Sequence, residues 1–140
     1  MTTPRNRLAR VRVGDAMNRG FVSCPPGLPL SEVARLMAEH RVHAVVVEEP
    51  GAHDAQGWSV VSDHDLVGAA AADRLDEPAA HAIAGTPMPR IGAGQPLLRA
   101  VELMAEHDVS HLVVVGEATG RPEGILSTLD LAAVLSARPG

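Results

Sequence analysis

Two short patterns in this chain of 140 residues place a hydroxyl and a carboxylate three positions apart, where an apolar run gives way to a helical one. One is Ser62 and Asp65, within S-V-V-S-D-H-D-L; the other is Ser127 and Asp130, within G-I-L-S-T-L-D-L. Two chemistries fit. In a capping box the Ser hydroxyl accepts from a free N–H of the first helical turn, and the acid reaches back to the cap's own N–H. In a ligand clamp the hydroxyl, the free N–H groups and the carboxylate converge on one spot. Such a spot suits a phosphate at a helix N-terminus, and the carboxylate suits the two hydroxyls of a ribose. The readings are compatible, since a residue can cap in the empty protein and bind once a ligand arrives. The duplication favours the second.

The elements that must position these groups are duplicated too. Leu30, Val33, Ala34 and Met37 form the apolar stripe of an amphipathic helix opened by Pro29. Leu97, Ala100, Val101 and Met104 repeat that stripe behind Pro96. Val42–Val47 and Val109–Val115 are apolar and β-branched and read as buried strands. Trp58–Val61 and Gly124–Leu126 read as returning strands, each after a turn-rich stretch at 48–57 and 116–123. Shifted by 67 positions, Phe21–Val47 overlies Met88–Val114 without a gap, and eleven of the 27 positions are identical.

The expected fold is therefore α/β (α+β), with two β-α-β-β-α repeats over residues 13–73 and 81–137. Residues 74–80 read as a polar linker, and residues 1–12, with Arg5, Arg7, Arg10 and Arg12, as a solvated, poorly ordered arm. A repeat of about sixty residues is marginal alone, so the apolar faces of the two are expected to bury each other.

Bulk properties narrow the function classes. The net charge of −5 gives no help to nucleic-acid binding, and Phe21 and Trp58 are too few for base-stacking platforms. No apolar run is long enough to span a membrane, and the N-terminus lacks the apolar stretch of a signal peptide. The single Cys24 forms no internal disulfide, which agrees with a reducing compartment. A cytoplasmic protein is expected.

The ordered set, twice over, resembles a tandem pair of CBS (cystathionine β-synthase) domains, also called a Bateman module. The resemblance covers residues from about 13 to 136. Gly124, Ser127 and Asp130 match the family's Gly-φ-x-Thr/Ser-x-x-Asp signature; the first copy carries Ser59 in place of the glycine. The resemblance implies two halves about a pseudo-twofold axis, with clefts that take AMP, ADP, ATP or S-adenosylmethionine as a regulatory ligand and not as a required cofactor. It implies that Asp130 and Ser127 serve one site, and Asp65 and Ser62 the other. Backbone groups near Val22 and Cys24, and near Arg90 and Ile91, are implied at the adenine edge. Ala44, His111 and Leu112 are implied in the rest of the wall. Ser59 is expected to narrow the first site, leaving the Asp130 site the stronger. A homodimer is implied as well.

Beside that resemblance, Arg90, His64 and His111 are candidate phosphate contacts. His40/His43 and His107/His111 are spaced for a metal, but no Cys pair or H-E-x-x-H pattern accompanies them. No nucleophile setting or Gly-rich phosphate loop is present, so no enzymatic activity is expected. Two functions remain: a sensor that binds an adenosine derivative and signals to an unidentified partner protein, or a ligand-free interaction and dimerisation module.

Overall fold

The computed structural model describes residues 3–48, 58–82 and 89–136. Most of the turn expected at 48–57 lies outside the described residues. The chain divides into two compact units, residues 21–88 and residues 1–20 with 89–140.

The first unit holds β2 (Ser23–Cys24), α3 (Leu30–His40), β3 (Ala44–Glu48), β4 (Trp58–Ser62), α4 (Asp63–Ala71) and α5 (Ala79–Ala82). β3 runs parallel to β2 and antiparallel to β4, in the order β2-β3-β4. Leu30, Val33 and Met37 of α3 are buried against Val45, Val47 and Val61, so the stripe read from spacing is the face that packs. Each fully buried Val or Leu contributes about 1.5–3 kcal/mol. α3 ends where Arg41 turns left-handed, at φ 55°.

The second unit holds β5 (Arg90–Gly92), α6 (Leu97–His107), β6 (His111–Val115), β7 (Pro122–Ser127) and α7 (Thr128–Ser136) in the same order. Leu97, Ala100 and Met104 of α6 pack on Leu112, Val114 and Leu126. α6 also ends on a left-handed residue, Asp108 at φ 51°. The β-α-β-β-α order is thus present in both copies.

The second unit carries more than its own repeat. α1 (Pro4–Arg10), α2 (Val13–Ala16) and β1 (Asn18–Arg19) all belong to it. β1 pairs antiparallel with β7, giving the sheet order β1-β7-β6-β5. Thr3 caps α1 by accepting from the Asn6 N–H, Leu8 is buried, and the Arg7 guanidinium donates to the Val134 and Leu135 carbonyls of α7. The segment expected as an arm thus holds a capped helix. Leu8 anchors it, and a single apolar residue among arginines gave no periodic signal.

The segment that leads into each repeat docks on the turn and helix start of the other repeat. Helix α6 opens at Pro96, which offers no side-chain cap, and the free Leu97 N–H is taken by the Val11 carbonyl at 2.8 Å. Val13 and Gly14 donate to the Gln95 and Ala93 carbonyls. In the first unit the Glu77 carbonyl takes the Leu30 N–H, and Ala79 and Ala80 donate to Leu28 and Pro26. Residues 11–14 and 77–80 thus play one role, each in the unit to which the following repeat's strands do not belong. Residues 77–80, within the polar linker, are docked in this way, and Ala79 is fully buried. Boundaries read along the chain mark sequence repeats; the spatial units are cut differently.

Candidate functional site at the strand-to-helix junctions

β4 stops at Ser62 because its extended backbone (φ −96°, ψ 166°) leads directly into α4. Ser62 Oγ accepts from the Asp65 N–H at 3.2 Å. Asp65 Oδ2 accepts from the Ser62 N–H at 2.8 Å and from its hydroxyl at 3.0 Å. The same three bonds recur between Ser127 and Asp130, at 3.3, 2.8 and 3.0 Å. Both junctions are capping boxes. One carboxylate oxygen, Oδ2, is filled by the serine in each copy, which leaves Oδ1 for other donors.

The neighbours of the two carboxylates differ. Asn18 Nδ2 lies 3.2 Å from Asp130 Oδ1 and 3.4 Å from Oδ2. No sequence signal marked Asn18: a polar residue in a two-residue strand becomes visible only once β1 is paired with β7. Near Asp65, Asp63 bonds instead to His43 Nδ1 at 3.1 Å, and both side chains are exposed.

Strand register brings some of the other candidates to the junctions. Ala44 lies opposite Ser62, and His111 opposite Ser127. His111 is buried, with Nδ1 2.9 Å from Ser110 Oγ. His64 is exposed beside Asp65, and its own N–H donates to Asp63. Cys24 lies opposite Val47 and Ile91 opposite Val114, each three positions along the strand from Ala44 or His111, or about 10 Å. Val22 sits closer to the junction, its carbonyl accepting from the Val46 N–H. The side chains of Cys24, Ile91 and Leu112 are buried in the two cores, so only backbone groups of these residues face outward. β2 and β5 lie at sheet edges, where one row of N–H and C=O groups has no partner within the sheet. Arg90 is exposed on β5, opposite Val113. Among the described residues no three His, Cys, Asp or Glu side chains cluster to hold a metal.

The missing Cβ at Gly124 has a local cause. A Cβ there would run into the Asn18 carbonyl oxygen and come to 3.0 Å from Met17 Sδ. Glycine is thus required so that β1 can lie against β7. Ser59 faces no such strand among the described residues. The Gly124/Ser59 difference therefore has a cause in strand packing.

Two repeats, each a three-stranded β-α-β-β-α unit closed by a capped strand-to-helix junction, define a tandem two-repeat module. The chain belongs to the CBS domain family, which matches it twice, over residues 13–72 and 80–137. A CBS domain protein from Pyrobaculum aerophilum, solved in complex with AMP, is 31% identical, with a TM-score of 0.75 over 89% of this chain and 95% of that one. Hypoxic Response Protein I, solved with two coordinated zinc ions, is 24% identical, with a TM-score of 0.68 over 88% of this chain and 98% of that one. A CBS domain pair in complex with 5′-methylthioadenosine and S-adenosyl-L-methionine is 14% identical, with a TM-score of 0.74 over 89% and 94%. The last two share the fold. No protein of curated function matches the chain.

Proposed function

We propose that this CBS pair is a regulatory module that binds an adenosine derivative, AMP foremost, at its Ser-x-x-Asp junctions and signals occupancy to a partner protein. It performs no chemistry of its own in this reading. The observation that carries it is the AMP complex of the 31% identical relative, which aligns over nearly the whole of both chains. The local chemistry agrees. Asp130 and Asp65 each keep Oδ1 outside the capping box, and a carboxylate oxygen accepts ribose hydroxyls in charge-assisted bonds. Ser127 and Ser62 are assigned to the ribose or phosphate. Arg90, His64 and His111 are assigned to phosphate, with backbone near Val22–Cys24 and Pro89–Ile91 at the adenine edge.

Val67 and Leu129 are large apolar side chains left exposed on α4 and α7, which supports a homodimer. Sedimentation at micromolar concentration should show a dimer, and a monomer throughout would remove that part. Among the described residues no helix is long and apolar enough to cross a membrane, which supports the cytoplasmic assignment.

Only a ligand with different affinities for two states can drive a switch. A thermal-shift series with AMP, ADP, ATP, NAD and S-adenosylmethionine tests the reading. A ligand at 100 times its dissociation constant should add about 2.7 kcal/mol. The complete capping boxes favour a second reading, in which the serines and aspartates serve structure alone. No shift with any adenosine compound at millimolar concentration would leave that reading.

A further inference from the structure

The Asp130 carboxylate is engaged by a donor that has no counterpart at Asp65 among the described residues. Its Oδ2 already accepts from the Ser127 N–H and hydroxyl, while Oδ1 accepts from Asn18 Nδ2 at 3.2 Å. Among the described residues, the Asp65 carboxylate accepts only from Ser62.

Asn18 is held in this place by its backbone. It pairs with Ile125, and its neighbour Arg19 with Gly124. Gly20, at φ 77°, turns the chain away while donating its N–H to the Glu123 carbonyl at 3.0 Å. The absent Cβ of Gly124 permits the approach. Side chain, strand pairing and glycine together aim one amide at one carboxylate.

We propose that Asn18 is an internal competitor for the ligand at Asp130. Its amide occupies the oxygens that ribose hydroxyls would take, so a ligand enters by displacing it. This rests on the adenosine reading above. A ribose with both hydroxyls exchanges two charge-assisted bonds for the bifurcated one it removes, whereas a 2′-deoxyribose exchanges one for one. Either ligand removes the same bond, so Asn18 lowers the affinity of both by one factor, and the preference for ribose belongs to the Asp130 carboxylate itself. Asn18 also links occupancy to β1, an edge strand of two residues continuous with α1 and α2.

The test is a titration of ¹⁵N-labelled full-length protein with AMP and with 2′-deoxy-AMP, in wild type and Asn18→Ala. The chain contains just two asparagines, Asn6 and Asn18, so the Asn18 side-chain amide is identified by its loss in the variant. In wild type, AMP should move that amide pair together with the backbone amides of Ser127 and Asp130. Asn18→Ala should bind AMP and 2′-deoxy-AMP alike roughly three- to tenfold tighter at this junction, in keeping with loss of one exposed competing bond, with the ratio between them unchanged. If Ser127 and Asp130 respond while the Asn18 side chain stays fixed, or if Asn18→Ala binds more weakly, the proposal is overturned and AMP binding stands. If no amide responds in either protein at millimolar AMP, the adenosine reading falls and the competitor role falls with it.

Discussion

Gly124 lies so close to the carbonyl oxygen of Asn18 that no side chain fits between them. The contact is backbone to backbone, so relief requires moving β1. Replacing Gly124 by Ser, the residue found at position 59, should force β1 off β7. Overpacking of this kind costs about 1–3 kcal/mol. Ser59→Gly, in a strand with no such neighbour among the described residues, should cost only the backbone term, about 0.5–1 kcal/mol. Urea unfolding of the two variants checks the order, and equal costs would contradict it.

The exchange of segments predicts how the chain can be cut. Cleavage between residues 74 and 80 separates α1, α2 and β1 from the sheet on which they pack. Leu8, Val13 and Met17 are all buried in that unit's core, and three such residues at about 1.5–3 kcal/mol each approach the whole stability of a small domain. Residues 81–140 alone should be unfolded by circular dichroism, and a peptide of residues 1–20 added in trans should restore structure. A fragment 81–140 that folds unaided would show that the docked segment is dispensable.

Cys24 is buried in the first unit's core, and that burial, followed by the nearby Glu48 carboxylate, raises its thiol above the ordinary value of 9.0. The thiolate is the reactive form, so the folded protein should resist alkylation at pH 8 and react fully only in denaturant. The unfolded thiol ionises first as pH rises, so the folded state binds more protons through that window. Stability should thus be unaffected by this group below pH 9 and fall above it. Urea titrations of wild type and Cys24→Ala at pH 7.5 and 10 check the sign; a steeper fall in the variant would contradict it.

Most of the frame was legible from residue order because it is local. The stripes Leu30–Val33–Met37 and Leu97–Ala100–Met104 announce α3 and α6 by spacing, and the valine runs announce β3 and β6. Ser62/Asp65 and Ser127/Asp130 announce their capping boxes, since both partners lie within one turn. What escaped is long-range. β1 has two residues, too few to alternate, and its partner β7 lies more than a hundred positions away. Without that pairing, Asn18 has no reason to be linked to Asp130, the Arg-rich segment reads as solvated, and Gly124 reads as room for a ligand. Burial of Cys24, Ile91 and Leu112 was foreseeable from their apolar character. That only their backbone faces outward follows from the strand register.

The central claim is that the junction carboxylates hold an adenosine ligand as well as capping their helices. The direct measurement is calorimetric titration of AMP into wild type, Asp130→Asn, Asp65→Asn and the double variant. Each substitution keeps the side-chain shape and removes the charge that strengthens bonds from ribose hydroxyls. Wild type should bind AMP. Each single variant should lose at least about tenfold in affinity at its own junction, and the double variant should give no binding heat. Isotherms unchanged by either substitution, or no heat from wild type at millimolar AMP, would contradict the account.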